Sequence, residues 1–422
     1  MKKLALLLIL ILLCSGFAYA RPQYSILQGF GAKCQACHVN TQGGGARNNP
    51  GWMSRKDISL IQPSTIGLGG LFNALSTNQA FGELITYGVD FRYQSARFGG
   101  PAGPERKNMV MQTTPYLSIN PTSWFFIEGQ YNVAYEIEKD LRYIGQQPYA
   151  FSANFKIAEN LPRLRVGYFQ PPIGTKYDDH TLLIRMVAGS ARSNPVIPDD
   201  YAEFGAQLDY DPFDWLSVNL GAFQSKNMSA LTSTINPNDM RVYVPYVTAD
   251  TSKARTIPVV DQGVPSIAGR ILIAPTLPFN INAFFGGTFF INSGTNLNKN
   301  GFYFSSNFYE ISSLFLHIGM LEKFALMTEY IHAKKQNSRT TDNFLVELTY
   351  QPLEAANIFF RFEQGNTNEV FQDKNYHSNQ YVIGAHIFPL PFIDLLPEYR
   401  IYDRQWIPGH AAQWAFQAHI FY

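Results

Sequence analysis

The sequence predicts an all-β protein: a transmembrane antiparallel β-barrel of about 16 to 18 strands, preceded by a short N-terminal segment. Three observations carry that prediction. The chain opens on an export-type leader, its apolar residues alternate with period two past residue 80, and its last segment ends on an aromatic residue.

In the leader, Lys2 and Lys3 precede the apolar run Leu4 to Leu13, and Ala18-Tyr19-Ala20 offers small residues at both recognition positions. The run is too short to cross a bilayer as a helix. Cys14 follows Leu13, where a lipoprotein signal carries a small residue, so cleavage is expected after Ala20 and the mature chain at Arg21. The expected division is residues 1–20 as signal peptide, 21–63 as an N-terminal segment and 64–422 as the barrel.

Composition narrows the class. Aromatic residues make up 15% of the chain and charged residues only 15%, low for a soluble exported protein of this length. Formal net charge is +1 and there is no basic tail, so nucleic acid is not an expected partner.

The alternation is read strand by strand. Ile85, Tyr87, Val89, Phe91 and Tyr93 alternate with Thr86, Gly88, Asp90 and Arg92; successive strand side chains point to opposite faces, so one face is apolar and the other polar. Phe125 to Glu136 and Phe344 to Tyr350 repeat the split, as do the segments near 148–158, 161–170, 202–211, 279–292, 356–364 and 393–403. A soluble β-sandwich also alternates. The strand number and the aromatic residues crowding the strand ends favour a barrel, in which closure pairs every backbone group without a hydrophobic helix. Ala412, Trp414, Phe416, Ala418, Ile420 and Tyr422 complete the pattern; this resembles the C-terminal strand of bacterial outer-membrane barrels, so the expected location is the Gram-negative outer membrane and the expected surroundings its lipid.

Polar positions of these strands should face a wet lumen. Glu128, Glu136, Arg163, Arg165, Glu203, Glu347, Arg361, Glu363 and Arg400 are the predicted lumenal charges. Residues 171–201 and 225–264 are too long for turns and are expected to be extracellular loops or loops folded into the lumen. The first follows Val166-Gly167-Tyr168-Phe169 and resembles the constriction-loop region of large porins.

Cys34-Gln35-Ala36-Cys37-His38 matches the c-type haem attachment pattern. Two thiols add to two porphyrin vinyl groups, and the adjacent imidazole is thereby held under the iron as an axial ligand. With 3 Cys and 8 His in the chain, random placement yields about 4 × 10⁻⁴ such motifs. A disulfide, a redox pair or half of a zinc site uses the same residues; there is no second cysteine pair for zinc and no surrounding alternation of strand and helix for a thioredoxin-like role. One covalent c-type haem is the expected cofactor. Met53 is the candidate sixth ligand, against the plainer reading of a packed methionine, with His180 a weaker candidate and His419 an ordinary lumenal residue. Gly43-Gly44-Gly45 would let the backbone pass close to the porphyrin, and Arg47 would pair with a propionate or stand solvated.

A short segment with one Cys-x-x-Cys-His followed by a large barrel resembles the fused outer-membrane cytochrome-porins, including those of iron-oxidising bacteria. The resemblance covers the architecture of the whole chain, while the run His38 to Asn48 departs from the iron oxidisers' own pattern. It implies electron exchange between an extracellular donor or acceptor, ferrous iron being one candidate, and a periplasmic carrier such as a soluble cytochrome. As an enzyme the protein would then be an iron-oxidising outer-membrane cytochrome. The alternative is a solute-conducting porin in which a haem plug is structural or gates the pore. A hydrolytic or peroxide-reducing enzyme ranks last, since no serine elbow, zinc-protease motif or phosphate loop is present. Residues 21–63 are too few to bury an independent core, so they are expected to sit in the periplasmic mouth as a haem-binding plug that borrows the barrel's walls.

Overall fold

The computed structural model describes residues 37–39, 45–56, 58–98, 105–134, 147–158, 160–175, 182–188, 196–198, 200–224, 227, 265–292, 296–299, 302–305, 309–335, 339–369, 373–404 and 410–422. The expected leader, Cys34, Gly43, Gly44, Glu136, His180 and nearly all of 225–264 lie outside them.

Sixteen strands among the described residues form one closed antiparallel ring. They are β1 (Ile85–Phe98), β2 (Glu105–Thr122), β3 (Phe125–Tyr131), β4 (Tyr149–Phe155), β5 (Arg163–Phe169), β6 (Glu203–Phe213), β7 (Leu216–Phe223) and β8 (Ser266–Ile273). Then follow β9 (Ile281–Asn292), β10 (Tyr309–Met320), β11 (Phe324–Lys335), β12 (Arg339–Leu353), β13 (Ala356–Glu369), β14 (Lys374–Ile387), β15 (Ile393–Arg404) and β16 (His410–Phe421). Each pairs with its sequence neighbour, and β16 returns to β1, from Gln413 opposite Phe98 to Phe421 opposite Asp90. Closure removes both sheet edges, the condition for a sheet to span lipid.

The two faces follow the period-two pattern. In β11, Ala325, Met327, Glu329, Ile331, Ala333 and Lys335 point inward and are buried, while Phe324 and Tyr330 point outward. Outward positions elsewhere are apolar and well exposed, Leu314 at 66% and Trp414 at 64% among them. A soluble sandwich would carry polar groups there; here the polar set lies inside, so the apolar belt faces lipid. Rings cluster at both rims: Phe213 stacks on Trp215 at 5.2 Å and Phe324 on Tyr350 at 5.0 Å at the end bearing the short turns, and Tyr149 meets Tyr168 at 5.1 Å at the other. Interfacial depth suits such rings.

Connections 123–124, 214–215, 321–323 and 354–355 close one rim in two or three residues, whereas 132–148, 170–202 and 224–265 span the other. In bacterial barrels the short turns are periplasmic.

One strand boundary differs from the sequence expectation. The third strand stops at Tyr131 rather than continuing through Tyr135, because the Asn132 side chain accepts from the backbone N–H of Thr113 and of Ala134 and turns the chain. The long strands start at Ile85, and ahead of them a two-residue strand, Gln79–Ala80, pairs with Thr86 and Ile85. Pro63 opens a single 3₁₀ turn ended by Gly67 at φ +76°, and a short helix, Gly69–Ala74, follows.

Candidate functional site

The chain between β5 and β6 turns into the barrel. Gly174 N–H donates to Thr288 Oγ1 on β9 at 3.1 Å, and Thr175 donates twice to the Glu329 carboxylate on β11, from its N–H at 3.2 Å and its hydroxyl at 2.8 Å. Ile184 N–H donates to Glu363 on β13 at 2.9 Å. Asn343 on β12 donates to the carbonyls of Ile184 at 2.8 Å and Met186 at 2.7 Å. Tyr309 on β10 donates to Val196 O at 2.6 Å. Since β13 is eight strands from β5 in a ring of sixteen, the loop crosses to the opposite wall. Its apolar side chains, Ile173, Leu182, Ile184, Val187, Val196 and Ile197, bury against Phe169, Tyr201, Phe223, Phe290, Ile311, Ile331 and Leu345. Each such aliphatic burial stabilises by roughly 1.5–3 kcal/mol.

The wall opposite the loop's origin is charged. Arg361 bonds Glu363 at 2.8 Å, Glu347 at 3.3 Å and Glu398 at 3.4 Å, and Arg400 Nε bonds Glu398 at 3.0 Å. On the β3 to β7 side, Arg165 meets Glu128 at 2.9 Å, Ser152 bridges the two, and Arg163 and Asn219 both reach Asp209. Of the lumenal charges predicted from sequence, all the described ones are inward and buried. Glu398, Asp209 and Glu329 were not singled out; each lies on the polar register of its strand, and that register is the signal that marks them.

The N-terminal segment occupies the short-turn end. Arg47 extends to the inner wall, where it donates to Tyr116 OH at 2.8 Å, approaches Asp90 at 3.5 Å and lies 4.8 Å over the Phe421 ring. Burial alone would lower the Arg47 pKa; the Tyr116 and Asp90 oxygens outweigh it and hold it above arginine's ordinary value. Helix α1 (Asn49–Lys56) follows, with Trp52 fully buried against Phe392 and Tyr422 and Arg55 over the rings of Phe388 and Phe421. Beyond it, the N–H groups of Leu60 and Ile61 donate to Phe388 O and Pro389 O in the β14–β15 turn.

Cys37 and His38 lie in the same packed stretch and are half-buried. Asn48 N–H donates to Cys37 O at 3.1 Å, and His38 faces Arg47 in an antiparallel bridge. A Cβ on Gly51 would run into the Cys37 carbonyl, so the helix backbone rests directly on the motif. In a c-type haem two thiols at this spacing would bond the porphyrin's vinyl groups and the imidazole would ligate the iron, roles that Cys37 and His38 could take; Cys34 falls outside the described residues. Met53 is 42% exposed, on the helix face of Asn49 and Pro50 and away from Trp52. His419 is inward, as its register implied, and bonds Asp90 at 3.1 Å.

These features define the class: a closed sixteen-stranded barrel of the porin kind, with an inward loop between its fifth and sixth strands and a docked N-terminal segment. The sequence matches no family model and no curated relative. In structure the chain is similar to OprB of Pseudomonas putida (TM-score 0.54, 9% identity, 84% of this chain and 97% of that one). It is similar also to the outer-membrane channel DcaP of Acinetobacter baumannii (0.52, 10%, 80% and 97%) and an anion-selective porin from Comamonas acidovorans (0.50, 9%, 80% and 99%). At such identities the likeness defines the fold, that of outer-membrane porins, and the apolar belt places it in a bilayer.

Proposed function

We propose that the protein is a solute-conducting outer-membrane porin whose pore is narrowed by the loop between β5 and β6 and whose periplasmic mouth carries a haem-bearing plug. The observation that carries this reading is the loop's crossing from β5 to Glu363 and Asn343 on the far wall, beside the mixed charges of Arg361, Arg400, Glu347 and Glu398. Interspersed charges of both signs keep a pore hydrated and admit small polar solutes and ions. Reconstitution in planar bilayers tests it: discrete conductance steps are expected, and a protein folded by heat-modifiable gel migration yet electrically silent overturns the channel reading.

A covalent haem on Cys34 and Cys37, with His38 as axial ligand, is part of the proposal, supported by the motif and by its packed position on α1. The haem would supply one-electron redox chemistry. The protein's own residues hold the motif still: Arg47 and Trp52 pin the segment to the wall, and Gly51 lets the helix approach Cys37. Pyridine haemochrome of the denatured outer-membrane protein tests attachment, and no covalent haem with both cysteines intact would sink it.

The half-burial of Cys37 and His38 at the periplasmic mouth also supports a second reading, electron transfer between an extracellular partner and a periplasmic soluble cytochrome. An apolar band roughly 25 Å tall exceeds the reach of a single haem, so the small redox partner must enter the pore. Intact cells exposed to ferrous iron should then show haem reduction that loop-widening substitutions accelerate. Reduction that is absent with every donor tried, beside normal conductance, leaves only the porin.

A further inference from the structure

We propose that residues 60–82, the stretch between α1 and β1, form a membrane-surface segment on the periplasmic rim, and that its partner is the phospholipid of the inner leaflet. The stretch contains no Asp, Glu, Lys, Arg or His. Leu60, Ile61, Ile66, Leu68, Leu71 and Phe81 are all exposed, Leu71 at 58% and Phe81 at 82%. So many large apolar side chains outside the fold, with no charge among them, mark an interaction surface rather than a solvated linker.

Both ends of the stretch are tied to the barrel wall. Leu60 and Ile61 donate through their N–H groups to Phe388 O and Pro389 O in the β14–β15 turn. At the far end, β16 stops at Phe421 opposite Asp90, and the stretch takes over the edge of β1 beyond it. There Tyr87 N–H donates to Asn78 O at 2.9 Å, and Gln79 and Ala80 pair with Thr86 and Ile85. Thr77 O accepts the hydroxyls of Tyr87 at 3.2 Å and Tyr422 at 2.7 Å. Tyr87 is exposed and stands on the outward, apolar register of β1, so the chain meets the wall on its lipid side. Between these anchors its backbone is bonded within itself: Leu68 N–H to Pro63 O at 2.8 Å, Phe72 N–H to Leu68 O and Leu75 N–H to Leu71 O, each at 3.2 Å. Internal bonding of this kind lets a backbone lie beside hydrocarbon.

The rest of the rim favours lipid as the partner. Trp124, Trp215, Phe279 and Leu321 project exposed apolar side chains from other connections at the same end of the barrel, the depth at which such residues seat a protein in the interface. The β14–β15 turn breaks the series, because its Phe388 and Phe392 are buried. The segment tied to that turn carries the missing anchors, and it continues the lipid-facing belt past the ends of β15 and β16. Without charge, its seating draws on buried apolar area and not on attraction to anionic headgroups.

The test uses the full-length protein folded in phosphatidylcholine vesicles. p-Acetylphenylalanine replaces Ile66, Leu71 or Leu314, one per variant, and takes an oxime-linked spin label that leaves the cysteines untouched. Electron paramagnetic resonance then compares collisions with molecular oxygen, which concentrates among acyl chains, and with a nickel chelate, which stays in water. The oxygen-to-nickel ratio at positions 66 and 71 is expected to be several-fold above that of free label in buffer and to approach the value at the lipid-facing position 314. A ratio equal to that of free label puts the stretch in water, and labels shielded from both reagents put it under protein, whether a second copy or the barrel's own mouth; either outcome overturns the proposal. A high ratio that appears only when anionic lipid is added overturns the apolar seating. Ile66→Asp combined with Leu68→Asp should lower the ratio at position 71 several-fold while heat-modifiable migration shows the barrel folded. An unaltered ratio in that folded variant overturns the assignment of these side chains as the anchor.

Discussion

Ile184 and Glu363 stand 179 positions apart in the chain and are joined by a 2.9 Å hydrogen bond from the backbone N–H of one to the carboxylate of the other. The contact turns a surface connection into a beam across the lumen, and its neighbour Asn343 serves the same beam from β12. Asn343→Leu removes the donors to Ile184 O and Met186 O. Buried carbonyls left without donors cost about 1–3 kcal/mol. The expected outcome is larger and noisier single-channel conductance with the barrel still folded; an unchanged conductance trace would show that the loop does not set the pore.

Arg361 is the shared cation of Glu347, Glu363 and Glu398. Arg361→Met leaves these carboxylates facing one another, and breaking a buried pair on one side costs roughly 3–5 kcal/mol. Urea unfolding in lipid vesicles should register that loss. The reversal potential across a salt gradient should move toward cation selectivity, since the wall becomes more negative by one charge.

Arg47 ties the N-terminal segment to the seam between β1 and β16 through Asp90, Tyr116 and the Phe421 ring. Arg47→Met should expose the segment to added protease and raise conductance by opening the mouth. Both readouts staying at the parental level would mean that Trp52 alone holds it.

Gly51 admits the helix backbone to the Cys37 carbonyl, where any Cβ would collide. Gly51→Val is expected to dislodge Cys37 from α1 and lower the yield of covalent haem several-fold, while barrel migration on gels is preserved. Full haem occupancy in this variant would show that the close packing is incidental to attachment.

Leu314 sits mid-strand on the outer face of β10. Leu314→Arg should cost about 2–4 kcal/mol if it lies at the bilayer midplane, measured by reversible unfolding in vesicles. Ser313, its inward neighbour, is the control position: arginine there should alter ion selectivity more than stability.

The barrel was legible because alternation is a local property. Glu347 and Glu363 could be assigned to the lumen from the apolar residues on either side of them, and the structure places both inward. Asn132 misled the same reasoning, since a polar residue at an alternating position looks like strand until its side chain is seen capping a turn. The beam was legible only as a long loop: its partners Glu329, Asn343 and Glu363 lie 154 to 179 positions away, and no periodicity encodes which wall a loop will meet. Arg47 shows the same limit at the mouth. Beside a run of glycines it reads as solvated or bound to a propionate, whereas its wall partners Asp90 and Tyr116 belong to strands 43 and 69 positions on. The Cys-x-x-Cys-His spacing was legible as a motif, and the resting place of Cys37 against Gly51 was not.

Ring closure bears on how the N-terminal segment is held. The N-terminal segment touches Asp90 on the first strand and Phe421 on the last, and Tyr422 exchanges backbone hydrogen bonds with Val89 at the same place. Sealing the ring and seating the segment therefore draw on the same few residues, so neither is independent of the other. Loosening that segment should therefore weaken the joint between the cylinder's end and its beginning, and loosening the joint should free the segment.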